Sequence, residues 1–395
     1  MSADKQSHGP FAGLLVLDLT RVLAGPYAAM MLGELGARII KIEPPVKGDD
    51  SRHIGPFITT KSGKVKSGYF MSVNRAKESI ALDLKSDNDR KIFEALLARA
   101  DILIENYRGG TMEKLGYGYE TLKENHPRLI YAGVSGFGHT GPYAKRPAYD
   151  MVVQAMGGVM SLTGHPGGPP TRVGTSTGDI TAALFGTIGI VTALYDRERT
   201  GKGQKVDVAM LDSQVAILEN AISRYVATGD VPGKLGSRHP SIAPFAAFAT
   251  ADGHIAIAAG NDDLWARVCK VMGREELIAD ERFRTNPLRV QHVEDMAAEM
   301  ERTLATHPSH HWLDALEKEG VPSGPINTVA EVMTDPQVLA RNMIIETLDP
   351  DLGPIKMQGN PVKLSAHEDP KTRAAAPDLD ADRTAILKEL GLTLT

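Results

Sequence analysis

The feature that most narrows the fold is an alternation of segment types. An apolar run, Gly13 to Asp18, is followed by helix-forming residues from Pro26 to Gly36 and then by a second β-like run, Arg38 to Glu43. The order returns with Ile80 to Leu84, Asn88 to Ala100 and Asp101 to Glu105, and the run Leu129 to Val134 follows. Strands separated by helix-length segments must cross over and run parallel. A helix from Asp179 to about Arg197 then leads through the basic turn Arg199-Thr200-Gly201-Lys202-Gly203-Gln204 into a strand, Val206 to Met210, and a helix, Ser213 to Val226. The pattern predicts an α/β protein whose large domain is a Rossmann-like open parallel sheet.

The pattern changes after residue 226. Pro232 to His239 is loop-like, Phe245 to Ala259 reads as two strands joined through Asp252-Gly253, and helical segments follow through Gly320. The expected division is a large domain over residues 1–225, a smaller α/β domain over 226–326 and a C-terminal segment, 327–395, returning to the first. That segment carries β-like runs at Met343 to Leu348 and Ile355 to Met357 and a helix near Leu387.

With 395 residues and 42% hydrophobic content, the chain can bury two sizeable cores, and polar residues interrupt its apolar runs too often for membrane spans. A net charge of −5 argues against a broad nucleic-acid surface. Met1 to Pro10 has neither an apolar signal core nor an Arg-rich amphipathic stretch, so a cytoplasmic location is expected. A single cysteine, Cys269, excludes an internal disulfide framework and reads as core. His307, His310 and His311 lie at a helix start without an acidic partner at ligand spacing, so no metal is expected. Lys61, Lys64 and Lys66 form a basic loop, either solvated surface or a contact for an anionic ligand. The first strand is followed by Leu19-Thr20-Arg21-Val22-Leu23-Ala24-Gly25-Pro26, not a G-x-G-x-x-G element, which argues against ordinary NAD use. The helix near Pro26 can still offer its N-terminus to a phosphate, with Arg21 adding charge.

Asp179 closes the run Val173-Gly174-Thr175-Ser176-Thr177-Gly178-Asp179 ahead of the apolar segment Ile180 to Tyr195. A helix start there would favour an ionised carboxylate, and Gly178 would let a substrate approach the backbone. Taken alone, an Asp in this position is ordinarily an N-cap.

Leu17 to Pro26, Leu35-Gly36-Ala37 with Lys41-Ile42-Glu43, and Gly48-Asp49-Asp50-Ser51-Arg52 open an ordered set of short motifs. It continues with Asn74-Arg75, Ser79-Ile80, Ile104-Glu105-Asn106-Tyr107, Gly136-Phe137-Gly138, Tyr149-Asp150, Gly178-Asp179 and Thr200 to Gln204. Together these resemble the family III CoA-transferases, of the formyl-CoA and carnitine type, over essentially the full length. The resemblance implies an interlocked homodimer with no tightly bound cofactor, acting on CoA, acyl-CoA and a small carboxylic acid. It places the nucleophile on Asp179, whose carboxylate would form an aspartyl anhydride and then an aspartyl-CoA thioester in a water-shielded site. It places CoA contacts on Arg21, Val22, Ala24, Leu82, Lys85, Asn106, Tyr107 and Lys114, and substrate-side tyrosines on Tyr69 and Tyr149. Arg21 and Leu23 replace the His and Gln of formate enzymes, and no glycine-run loop occurs near residue 235.

His239 to Phe245, Ala259-Gly260-Asn261-Asp262 and Val321 to Asn327 look like the branch using succinyl-CoA and dicarboxylates such as glutarate or itaconate. A second carboxylate needs a fixed cation; Arg52, Arg75, Arg172, Arg238 and His239 are the candidates. The racemase branch of the fold pairs its Asp with a His where this chain has Tyr149, a poor general base near neutrality. Transferase is therefore preferred over racemase, and a CoA-binding protein without turnover is the remaining alternative.

Overall fold

A computed structural model describes residues 9–392. The chain forms two compact units: one comprises the chain up to Val159, Arg172–Ile222 and everything from Pro336, and the other comprises Met160–Thr171 and Ser223–Asp335.

The larger unit is built on six strands: Leu15–Asp18 (β1), Arg38–Glu43 (β2), Glu78–Ala81 (β3), Ile102–Glu105 (β4), Ile130–Ser135 (β5) and Lys205–Ala209 (β6). Their order is β3-β2-β1-β4-β5-β6, and every pairing is parallel. Leu17 lies between Ile40 and Leu103 in register, which aligns the apolar residues of the central strands. Alternate residues then feed opposite faces, as the pleat requires. Leu17, Ile40, Ile42, Leu103 and Tyr131 pack with Phe93, Leu96 and Leu97 of the helix Asp87–Leu97. Val16, Ile39, Ile102, Ile104 and Ile130 pack with Ala29 and Leu32 of the helix Ala24–Glu34 (α1) and with Ile190, Ala193 and Leu194 of a long helix, Thr177–Thr200 (α2).

Small residues set how closely α2 lies on the sheet. A Cβ at Gly189 would sit 2.6 Å from Val206 Cγ1, and one at Gly186 would sit 3.1 Å from Val134 Cγ2. By length and composition α2 could cross a membrane, but its inner face, including Ala183, Gly186 and Ile190, is buried in the fold.

The C-terminal segment adds a strand pair, Ile344–Asp349 with Gly353–Gln358, and Thr372–Ala374 alongside. The helix expected over Ser213 to Val226 is two helices, Met210–Ala216 and Asn220–Thr228, because the chain turns through Glu219 at φ 56°. Asp179 is not a cap: α2 begins two residues earlier with Ser176 at the N-cap, so Asp179 is its third residue.

The smaller unit holds an antiparallel sheet of Phe245–Ala249, His254–Ala258 and Ser323–Pro325, with helices packed around Phe248, Trp265, Phe283 and Trp312. Cys269 is fully buried in this core, and burial pushes its thiol up to about 12. His307 stacks on His311 and meets Trp312 edge-on.

Candidate active site

In this strand order the connections leaving β1 and β4 diverge, and the crevice beyond their C-terminal ends is where doubly wound sheets bind ligands. A cavity of about 240 Å³ occupies it, lined by the β1–α1 loop, the residues after β4 and β5, and Asp179.

Buried charge sets the shape of the β1–α1 loop. Lys77 Nζ donates to Asp18 at 2.8 Å, to the Pro26 carbonyl at 2.9 Å and to Asn74 at 2.9 Å, and burial pulls this lysine down to about 8. Lys41 Nζ donates to the Thr20 carbonyl at 2.8 Å and pairs with Asp49 at 2.9 Å. Burial opposes ionisation of Asp49, but Lys41 and two backbone N–H groups outweigh it and hold the carboxylate down at about 2. One of those donors is the N–H of Val22, 3.0 Å from Asp49 Oδ1. Val22 sits at φ 68°, a left-handed conformation that costs a β-branched residue roughly 1–2 kcal/mol and persists only where the surroundings impose it.

That strained turn aims the start of α1 at Asp179. The N–H of Ala24, the first residue of α1, donates to the Asp179 carboxylate, so the positive end of α1 faces the negative charge. Asp179 itself is half-buried. Burial, followed by the charge of Asp150, pushes its carboxyl up to about 7, against the Ala24 N–H and Arg172.

Asp150 organises the beginning of α2. It accepts from the Gly178 N–H at 2.9 Å and from Gln154 Nε2 at 2.8 Å, and Arg172 Nε donates to it at 3.0 Å. The glycine at 178 therefore has a packing reason: a Cβ there would lie 2.5 Å from Val153 Cγ2. Its N–H is spent on Asp150, so the expected open approach for a substrate at this backbone is not what the fold provides. Tyr69 is half-buried, and burial together with the Asp179 charge pushes its phenol up to about 12, so it remains an O–H donor. Tyr149 lines the cavity and is 71% exposed.

Of the residues expected to meet CoA, Arg21, Val22, Ala24, Asn106 and Tyr107 line this cavity. Asn106 ties the two loops together, accepting from the Arg21 N–H at 2.9 Å and donating to the Arg21 carbonyl at 2.7 Å. The Arg21 guanidinium lies 5.0 Å from the Tyr107 ring centroid and 3.7 Å from Asp50. Leu82 is buried in the sheet core, closed to a ligand, and Lys85 and Lys114 are exposed away from the cavity wall.

Among the cations proposed for a second carboxylate, Arg52 forms a two-pronged pair with Glu43, both contacts 2.7 Å, with its guanidinium over Phe70. Arg75 is buried and pairs with Glu34 at 2.6 Å. Arg238 pairs with Glu294 at 3.0 Å, and His239 Nδ1 accepts from the Ser241 N–H at 3.1 Å; both belong to the smaller unit. Lys66 of the basic loop is paired with Asp349 at 2.9 Å.

Three contributors lay outside the sequence expectations. Arg108 and Arg146 line the cavity, the latter 3.9 Å from the Tyr143 ring centroid. Glu105, buried under the floor, accepts from the Tyr107 N–H at 2.7 Å and from Tyr131 Oη at 2.9 Å; burial pushes it up to about 7. The arginine after Asn106-Tyr107 was a readable signal; the others depend on contacts distant in sequence.

The family model for CoA-transferase family III matches residues 11–383. Among relatives, the acetyl-CoA:oxalate CoA-transferase of Acetobacter aceti is 49% identical over 96% of each chain. The succinyl-CoA:mesaconate CoA-transferase of Haloarcula hispanica is 41% identical over 97% of each. A crystal structure of a CAIB/BAIF family protein from Brucella suis superposes with a TM-score of 0.86 at 40% identity, covering 97% of this chain and 100% of that one. A carboxylate open to a crevice at the end of a parallel sheet, and full-length likeness of sequence and fold, lead to one conclusion: the chain belongs to CoA-transferase family III.

Proposed function

We propose that this CoA-transferase moves CoA from an acyl-CoA, with succinyl-CoA as the first donor to test, to a dicarboxylic acid, using Asp179 as the covalent carrier. The observation that carries the reading is the Asp179 carboxylate, open to the cavity yet engaged by the N-terminus of α1.

An Asp179 oxygen attacks the thioester carbonyl, the C–S bond breaks, and an aspartyl anhydride and CoA thiolate result. The thiolate attacks the aspartyl carbonyl, releasing the donor acid and leaving aspartyl-CoA. A carboxylate oxygen of the acceptor attacks that thioester, expelling thiolate and forming a second anhydride. Thiolate then attacks the acceptor's acyl carbon, which gives the new acyl-CoA and restores Asp179. Each exchange joins groups of similar acyl energy, so no ATP is required, provided water is kept out. The Ala24 N–H is aimed where charge returns to the aspartyl oxygens, and Tyr69 and Tyr149 are the substrate-side hydroxyls. Arg21, Asn106, Tyr107 and the cations beside them receive CoA.

Both relatives above carry names with a dicarboxylate acceptor, and this supports the acceptor class. A homodimer fits the outer face of α2, where Leu184, Ile188, Val191 and Tyr195 recur at helical spacing and are 37–69% exposed. A cytoplasmic location accords with an enzyme whose substrates are all small, charged metabolites. The test is to mix the protein with succinyl-CoA and trap with hydroxylamine. Asp179 should be converted to the hydroxamate, and Asp179→Asn should remain unlabelled. Labelling elsewhere, or exchange at full rate by Asp179→Asn, would refute the mechanism. A panel of oxalate, mesaconate, glutarate and itaconate, read by thioester chromatography, assigns the acceptor.

A further inference from the structure

Resting on that dicarboxylate reading, we infer that Arg172 is the specificity-determining cation, holding the acceptor's second carboxylate while the first reacts at Asp179. The other four cations proposed for this role are separately accounted for. Arg52 is held in a two-pronged pair by Glu43 and donates to the Pro377 carbonyl, Arg75 is buried beside Glu34, and Arg238 and His239 have partners within the smaller unit. Arg172 differs in both place and preparation.

Its guanidinium is fixed to the turn that carries the nucleophile. Nε and Nη2 lie 3.0 Å from Asp150 Oδ2, Nη2 donates to Ser176 Oγ at 2.9 Å, and Nη1 donates to the Gly174 carbonyl at 3.1 Å. Ser176 is the N-cap of α2, and Asp150 also accepts from the Gly178 N–H, so the cation and Asp179 share one rigid frame. A guanidinium has five N–H donors, and these contacts employ four, leaving one on Nη1. The side chain is 37% exposed, so the guanidinium is within reach of a ligand. Asp150, which Arg172 grips, accepts from the N–H of the residue just before Asp179, so the cation is placed beside the nucleophile. A rigid, pre-positioned cation loses little freedom on binding an anion, the condition under which a charged hydrogen bond discriminates well. Of the arginines in the cavity that Asp179 faces, Arg21 is directed to Asp50 and the Tyr107 ring, and Arg146 lies over the Tyr143 ring.

The experiment compares kcat/KM for glutarate with that for valerate, the same chain length ending in methyl rather than carboxylate, using acetyl-CoA as donor. In the native enzyme glutarate should be preferred. In Arg172→Gln the glutarate-to-valerate ratio should fall at least about tenfold, mainly through KM for glutarate. Arg172→Lys, which keeps the charge but not the fork, should show a smaller fall, and it decides the matter if the Gln variant does not fold. Loss of activity shared equally by both acids would mean that Arg172 only supports the start of α2, and the inference would be wrong. A fall in the ratio for Arg146→Gln but not for either Arg172 variant would overturn it as well. A native enzyme without any preference for glutarate, oxalate or mesaconate over monoacids would instead defeat the dicarboxylate reading on which the inference rests.

Discussion

Replacing Asp179 by Asn should make the protein more stable at neutral pH while abolishing turnover, because the fold holds this carboxylate where its charge is unwelcome. Burial and the neighbouring Asp150 raise the carboxyl from an ordinary 3.8 to about 7. Taken at face value, at about 1.4 kcal/mol per pH unit, that is at most about 4 kcal/mol against the ionised form. The side chain is open to the cavity, so solvent screening reduces the figure to about 1–2 kcal/mol. The sign follows from proton binding. Between about pH 4 and 7 the folded state holds a proton that the unfolded chain has released, so stability falls as pH rises and the full cost is present above 7. Asn, of the same shape and uncharged, escapes it. Thermal unfolding of both proteins in parallel from pH 4.5 to 8.5 isolates the effect, since every other titrating group cancels in the difference. The Asn variant should gain a few degrees in midpoint at pH 8 and almost nothing at pH 4.5, with turnover reduced on the order of 10³-fold or more. A midpoint difference independent of pH, or a less stable Asn variant at pH 8, would refute the electrostatic argument.

The same carboxyl should govern the rate: kcat/KM for the acyl-CoA should rise with pH and level off above about 7, and Asp150→Asn should move that limb to lower pH by removing the like charge, as pH–rate profiles would show. Arg108→Ala and Arg146→Ala should each raise KM for the CoA donor several-fold with little change in hydroxylamine trapping at saturation, measured by steady-state kinetics. Lys77→Met should destabilise by roughly 3–5 kcal/mol, read by denaturant unfolding, because among the described residues buried Asp18 then keeps only Lys41, at 3.9 Å, as a charged partner. Gly203→Ala should also lower the midpoint, since its Cβ would fall 2.0 Å from the Leu129 carbonyl oxygen, and backbone cannot rotate away.

Periodicity is a local property, and what depends on it was readable without coordinates. The alternation of apolar runs and helical segments set the parallel α/β architecture; the strand cores around Leu17, Ile40 and Leu103 and the hairpin through Asp252-Gly253 follow from the same signal. Ordered motifs identified the family, and they pointed to Asp179, Arg21, Val22, Ala24, Asn106 and Tyr107, which the fold gathers around one cavity. The partners of charged groups are another matter. Arg52, Arg75 and Arg172 look alike as residues and each pairs with a carboxylate, yet two are held against Glu43 and Glu34 while the third is held by Asp150 at the turn that carries Asp179. The donor to Asp179 comes from Ala24, at the start of a different helix, and the strain at Val22 that aims it is imposed by Asp49 and Lys41. Those pairings join segments far apart in the chain, and the free energy of a buried charge depends on what surrounds it in three dimensions, so only the tertiary structure could decide which cation is spent and which carboxylate is held ready to react.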